Sequence, residues 1–172
     1  MGAEIITKFR VASDETVSQL LHLITTSAEE RFSKTLTPAA LTQYLSNRYT
    51  PKTLVDQINN FANQWLITYV DGVPAGYAFL TSRGPVQEGY AGKKVVHLVD
   101  FEILHAYADT VARQSLIEKC MATYKGFEAM WLVTQRDHPL TTFLETQGFV
   151  KGREAVDFNG VPVPAVYLVK EI

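Results

Sequence analysis

The sequence predicts an α/β (α+β) chain built on a mixed, mostly antiparallel central sheet flanked by helices. Three observations lead there. Apolar residues recur at helical spacing in some segments and form short β-branched and aromatic runs in others. Two dipeptides, Asp71-Gly72 and Asn159-Gly160, are two-residue hairpin turns, so at least two strand pairs are antiparallel. The order of elements is strand, helices, antiparallel strands, helix, strand, helix, hairpin. It is neither an internal repeat nor a doubly wound parallel pattern.

Taken in order, Lys8–Val11 is a short strand. Ser13 then caps a helix on which Val17, Leu20, Leu21 and Ile24 recur at i, i+3, i+4 and i+7. Thr37-Pro38 and Thr50-Pro51 each set a capping hydroxyl before a proline at the first helical position, opening two short helices. Trp65–Val70 and Gly76–Thr81 are strands joined at Asp71-Gly72, Ser82–Lys94 is a glycine-rich loop, and Val95–Leu104 is a long apolar strand at the sheet centre. Asp109–Lys125 is a helix with Leu116, Ile117, Cys120, Met121 and Tyr124 inward, and Asp109 is placed to cap it. A strand at Ala129–Thr134 follows. Asp137-His138-Pro139 opens a helix that ends before Gly148-Phe149, and strands at Arg153–Phe158 and Pro162–Val169 close the chain around Asn159-Gly160.

A chain of 172 residues, 47% hydrophobic, is the size of one domain, here residues 1–172. With 16 Lys+Arg against 18 Asp+Glu and no block of like charge, a nucleic-acid partner is not indicated. No apolar run is long enough to span a membrane and no signal-peptide layout opens the chain, so a cytoplasmic protein is expected. The single cysteine, Cys120, reads as a buried hydrophobe. Metal-ligand spacings, phosphate-binding loops and nucleophile elbows are absent from the sequence, and no metal is expected.

Three segments resemble the acyl-CoA N-acyltransferase (GNAT) superfamily. Val70–Leu80 is similar to the family's hairpin with its Gly76-Tyr77, and Asp137, Phe143, Gly148 and Phe149 echo its Asn-x-x-Ala-x-x-Phe-Tyr-(x)3-Gly-Phe pattern. The third, Ile103–Lys119, resembles the family in its strand-then-helix shape. Phe32, Leu41–Leu45, Tyr49-Thr50, Leu54–Asn59 and the Gly152 to Lys170 tail look like the bacterial spermidine/spermine-type branch.

That resemblance implies an N-acetyltransferase using acetyl-CoA, or another acyl-CoA, on a small amine or amino group. It places the cofactor along Ile103, Leu104 and His105 of the central strand, with the pyrophosphate at Ala108, Asp109, Thr110, Val111, Ala112 and Arg113, and Asp137 nearby in the set. The physical requirement at the pyrophosphate is open amides at a helix N-terminus. The family's signature there is R/Q-x-x-G-x-G/A, and this window contains no glycine. An Asp109 cap would fill the amides with a carboxylate. For the chemistry, His105 is the candidate base and Tyr107 the candidate proton donor, because Leu144 stands where the family carries its tyrosine. Asp100 and Glu102 share one strand face, either to attract a cationic amine or as carboxylates on a solvated or dimer-facing part of the sheet. The alternative function is a catalytically inactive protein of the same fold, binding a small ligand or a partner in the former CoA cleft. A homodimer fits either reading.

Overall fold

A computed structural model describes residues 2–172. Seven strands form one mixed sheet in the order β1-β2-β3-β4-β5-β7-β6. Its strands are β1 (Ile5–Phe9), β2 (Asn63–Val70), β3 (Val73–Thr81), β4 (Val95–Ile103), β5 (Ala129–Gln135), β6 (Val150–Ala155) and β7 (Ala165–Glu171). Five α-helices accompany them: α1 (Asp14–Phe32), α2 (Pro38–Arg48), α3 (Pro51–Asn59), α4 (Ala112–Thr123) and α5 (Pro139–Thr146). β4 pairs with β5 in parallel, whereas β1 with β2, β5 with β7, and β6 with β7 are antiparallel. The mixed, mostly antiparallel sheet expected from the sequence is present, with β4 at its middle.

The chain divides into two compact units, Met1–Leu80 with Asp100–Thr123, and Thr81–Val99 with Tyr124–Ile172. In the first, the helix starts follow the cap chemistry. Ser13 Oγ accepts from Thr16 N at 3.1 Å, Thr37 Oγ1 from Ala40 N at 3.1 Å, and Thr50 with Thr53 forms a reciprocal capping box. Thr50→Ala removes one half of that box and is expected to cost about 1 kcal/mol in urea unfolding; an unchanged midpoint would refute the assignment. Leu20, Leu23 and Phe32 of α1 are buried, as are Leu54 of α3 and Trp65 of β2. Trp65 stacks on Phe79 at 4.2 Å and takes Tyr49 edge-on at 5.6 Å. Each such side chain contributes roughly 1.5–3 kcal/mol by leaving water. α4 packs against β1 and β2, where Thr7 Oγ1 shares hydrogen bonds with Thr68 Oγ1 (2.8 Å) and Ser115 Oγ (2.7 Å).

Asp71 and Gly72 both have positive φ, 49° and 79°, the geometry of a tight hairpin turn, and they join β2 to β3. Gly76, one strand later, is required for a different reason. A Cβ there would overlap Ile103 Cδ1 and the Glu102 carbonyl oxygen of β4.

In the second unit, β5 pairs with β4 at Val95–Ala129, Val96–Met130 and His97–Trp131, and with β7 along its whole length. His97 stacks on Trp131 at 3.7 Å, Tyr167 follows at 6.1 Å, and Arg153 lies 4.2 Å over the Tyr167 ring. The Asn159-Gly160 turn forms, with φ of 53° and 84°, but its flanks differ from the sequence expectation. Only the isolated Phe158–Val161 bridge closes it, and regular pairing resumes at Ala155–Ala165. Pro162 and Pro164 lack the N–H groups that a longer ladder would use.

Two further expectations are corrected. β1 runs Ile5–Phe9 rather than Lys8–Val11, its register set by Ile5–Val70 through Phe9–Leu66 on β2. α4 begins at Ala112, not Asp109. The Tyr107 carbonyl accepts both Thr110 N (3.1 Å) and Thr110 Oγ1 (2.7 Å), holding residues 108–111 in a turn.

Candidate active site

The first unit gathers the candidate residues where β4 ends. Asp100 and Glu102 share the β4 face that the period of two predicts, and Phe101 and Ile103 are buried on the other. Neither carboxylate faces open solvent, which removes the solvated reading. Asp100 Oδ1 meets Arg48 Nη2 at 2.5 Å and Oδ2 accepts from the Tyr49 hydroxyl at 2.8 Å. Both partners come from the break between α2 and α3: Arg48 ends α2, Tyr49 is its C-cap, and the Thr50-Pro51 start of α3 fixes the turn. Glu102 Oε1 meets Arg31 Nη2, from the last turn of α1, at 2.6 Å.

Electrostatics in this cluster are set by burial first and charge second. Burial lifts the Glu102 carboxyl above the ordinary glutamate range, with the Arg31 charge and hydrogen bond opposing it. At Arg48 burial is the largest influence and works against the charged form, but Asp100 with Tyr44, Tyr49 and Tyr77 together outweigh it and the guanidinium stays protonated. Burial and the Asp100 charge raise the hydroxyls of Tyr49 and Tyr77 well above the usual phenol range. Arg113 feels the same group electrostatically: desolvation lowers its pKa, Glu102 raises it and Arg31 lowers it. It is half-buried rather than the exposed helical arginine that its position suggests. A cationic amine approaching Asp100 or Glu102 therefore meets carboxylates already matched by guanidinium groups.

After β4, Leu104 is buried and its N–H donates to the Ala75 carbonyl at 2.9 Å. His105–Tyr107 make a 3-10 turn. The His105 N–H donates to Glu30 Oε2 at 2.8 Å, and the same oxygen lies 3.1 Å from His105 Nδ1, with the imidazole 67% exposed. Tyr107 is half-buried, and Ala108, Asp109 and Val111 are exposed. Asp109 does not cap α4. Thr110 Oγ1 accepts from Ala112 N at 3.2 Å instead, and the first turn of α4 carries no acidic residue. Asp109 therefore does not fill the first-turn amides of α4, although it remains within the 108–113 window.

The structure brings Asp100, Glu102, Ile103, Leu104, His105, Tyr107 and the Ala108–Arg113 window into one unit. Asp137 belongs to the other unit, where its side chain is 86% exposed and 3.8 Å from Arg136 Nε. His138, not Asp137, caps α5, its Nδ1 accepting from Leu140 N at 3.1 Å. Leu144 is fully buried in α5, and Cys120 is buried in α4 with its thiol pushed up by burial. Sequence reasoning missed Arg31, Arg48, Glu30 and the roles of Tyr49 and Tyr77. Their one local signal is position: Glu30-Arg31 and Arg48-Tyr49 sit at helix ends, where side chains reach neighbouring elements.

No protein-family model matches the chain, nor does any curated protein sequence. Solved structures do match, over nearly the full length. The PaiA N-acetyltransferase of Thermoplasma acidophilum, solved in complex with coenzyme A, is similar at 16% identity and a TM-score of 0.72, covering 97% of this chain and 99% of that one. Arabidopsis thaliana Naa50, in complex with the bisubstrate analogue CoA-Ac-MVNAL, matches at 16% identity and 0.64, covering 96% and 99%. An acetyltransferase from Streptococcus agalactiae matches at 19% identity and 0.65, covering 98% of each chain. Among the described residues no helix is long and apolar enough to cross a membrane. The element order, the sheet centred on β4 and these full-length matches together assign the chain the fold of the GNAT acetyltransferases.

Proposed function

We propose that this protein is an acyl-CoA-dependent N-acyltransferase acting on a small amine or amino group, with residues 1–172 as one acyltransferase domain in the cytoplasm. The observation that carries the reading is the start of α4. It follows β4, the 3-10 turn and the turn at residues 108–111, and no carboxylate lies on its first turn. A helix N-terminus in that condition suits a phosphate group, through the partial positive charge of its amides. Small residues at Ala108 and Ala112 take the place of the missing glycines, and the pyrophosphate is assigned to residues 108–113, with Ile103, Leu104 and His105 beside the pantetheine. His105 is the proton acceptor for the amine and Tyr107 the donor to the leaving thiolate. Asp100 and Glu102 support this end of β4 through Arg48 and Arg31 rather than touching the amine.

A second reading, a non-catalytic protein binding a small ligand or partner through the same fold, is favoured by one observation: both strand carboxylates are closed off by arginines of the same chain. Thermal unfolding with CoA and acetyl-CoA separates the two, together with acetyl transfer to a panel of primary amines. A ligand at a hundredfold excess over its Kd adds about 2.7 kcal/mol to stability, an easily measured rise in Tm. A rise with turnover is the expected result. No rise at millimolar acetyl-CoA sinks the acyltransferase, and a rise without turnover on any amine selects the second reading.

A further inference from the structure

The carboxylate of Glu30, in the last turns of α1, accepts the main-chain N–H of His105 with both oxygens, at 2.8 and 3.3 Å, and Oε2 is also 3.1 Å from His105 Nδ1. The contact spans 75 residues of sequence and joins α1 to the turn after β4. An oxygen bearing negative charge that close to Nδ1 repels a lone pair there and attracts a proton. The tautomer it selects carries hydrogen on Nδ1 and a lone pair on Nε2. Nε2 lies on the other side of the ring, in a side chain that is 67% exposed, whereas the Glu30 side chain is 21% exposed and held in place by the backbone it binds.

We infer that Glu30 is a positioning residue for His105, fixing the ring and its tautomer so that Nε2 takes a proton from the acceptor amine. The inference rests on the acyltransferase reading. The step balances as follows: the ammonium R–NH3+ gives one proton to Nε2, and the neutral amine attacks the thioester carbonyl carbon. The C–N bond forms, the C–S bond breaks, and the electron pair of that bond leaves on sulfur. The second nitrogen proton ends on the thiolate, so the products are the amide, CoA–SH and an imidazolium that returns its proton to water. A carboxylate–imidazole arrangement of this kind acts by orientation and tautomer, without itself taking the proton.

Two measurements test it. The first is the imidazole nitrogen NMR spectrum of the full chain at a pH of about 8.5, where an ordinary imidazole is neutral, with His105→Gln identifying the signals. The wild type should show His105 as the Nδ1–H form and Glu30→Ala should shift it toward Nε2–H. Glu30→Gln, whose amide oxygen still accepts from both N–H groups, should keep the wild-type form. The second is acetyl transfer from acetyl-CoA to a diamine, an amino sugar and a short peptide. His105→Gln should lower kcat by about 100-fold or more. Glu30→Ala should lower it about tenfold with KM for acetyl-CoA within twofold, and should lower it no further in the His105→Gln background. A wild-type His105 with its proton on Nε2 overturns the positioning role, whether or not transfer is seen. An equal loss from Glu30→Ala in both backgrounds also overturns it, because that is the behaviour of a residue needed only for folding. If the Nδ1–H form is present and no amine is acetylated, the acyltransferase reading falls instead, and the catalytic use of the pair falls with it.

Discussion

Gly76→Ala is expected to lower the free energy of unfolding by about 3 kcal/mol, the upper part of the usual range for overpacking a filled core. The added methyl would overlap two atoms of β4, the Ile103 Cδ1 atom and the Glu102 carbonyl oxygen. The isoleucine tip can turn away. The carbonyl cannot, because it moves only with the β4 backbone, and that backbone carries Glu102 onto Arg31 and leads into the His105 turn. Stability and the geometry of the candidate site should therefore fail together. Gly126→Ala is the matched control: it has nothing within 4 Å of a built Cβ, and it should be neutral or slightly stabilising. Urea unfolding of both variants decides the matter, and equal midpoints for the two would show that β3 and β4 do not approach as described.

Arg31→Met should cost about 3–5 kcal/mol at neutral and alkaline pH, the range for removing one partner of a buried ion pair. The loss leaves the Glu102 carboxylate in a protected position, with a side chain 17% exposed and Asp100 adding repulsion from the same strand face. The pH dependence follows from the direction of the Glu102 shift. Burial already raises this carboxyl, and Arg31 is the main opposing influence, so its removal raises the folded-state pKa further. A carboxyl whose pKa is higher folded than unfolded stabilises the fold below its unfolded value and loses that contribution as pH rises through the folded one. The deficit of the variant should therefore be largest near pH 8 and shrink on acidification toward the ordinary glutamate pKa of about 4.3. Adding Glu102→Gln should recover part of it. A deficit constant with pH would mean that Arg31 acts through packing of its stem alone.

Much of the fold was legible because its signals are local. A threonine before a proline specifies a helix start within four residues, and Thr37-Pro38 and Thr50-Pro51 start α2 and α3 where expected. Asp71-Gly72 supplies the positive φ values that a two-residue turn demands, whatever lies beyond it. The local rule misled at Asp109, which has the right chemistry for a cap but sits too early. Thr110, tied to the Tyr107 carbonyl through both its N–H and its hydroxyl, takes the helix start instead. The period of two placed Asp100 and Glu102 on one face of β4, yet it said nothing about what would face them.

By itself, then, the sequence determined the order of elements, the caps that open α1, α2 and α3, the two tight turns, the central place of β4 and the residues that line its two faces. Only the tertiary structure decided the chemistry at its end. Arg48 reaches Asp100 across 52 residues and Glu30 reaches His105 across 75, and no local pattern encodes such a meeting. The reason is that charges select partners through distance and burial, which packing sets, whereas caps and turns are selected by the backbone of the few residues that contain them. The same packing starts α4 at Ala112 rather than Asp109, so no carboxylate lies on the first turn of the helix at which an acyl-CoA phosphate is proposed to dock.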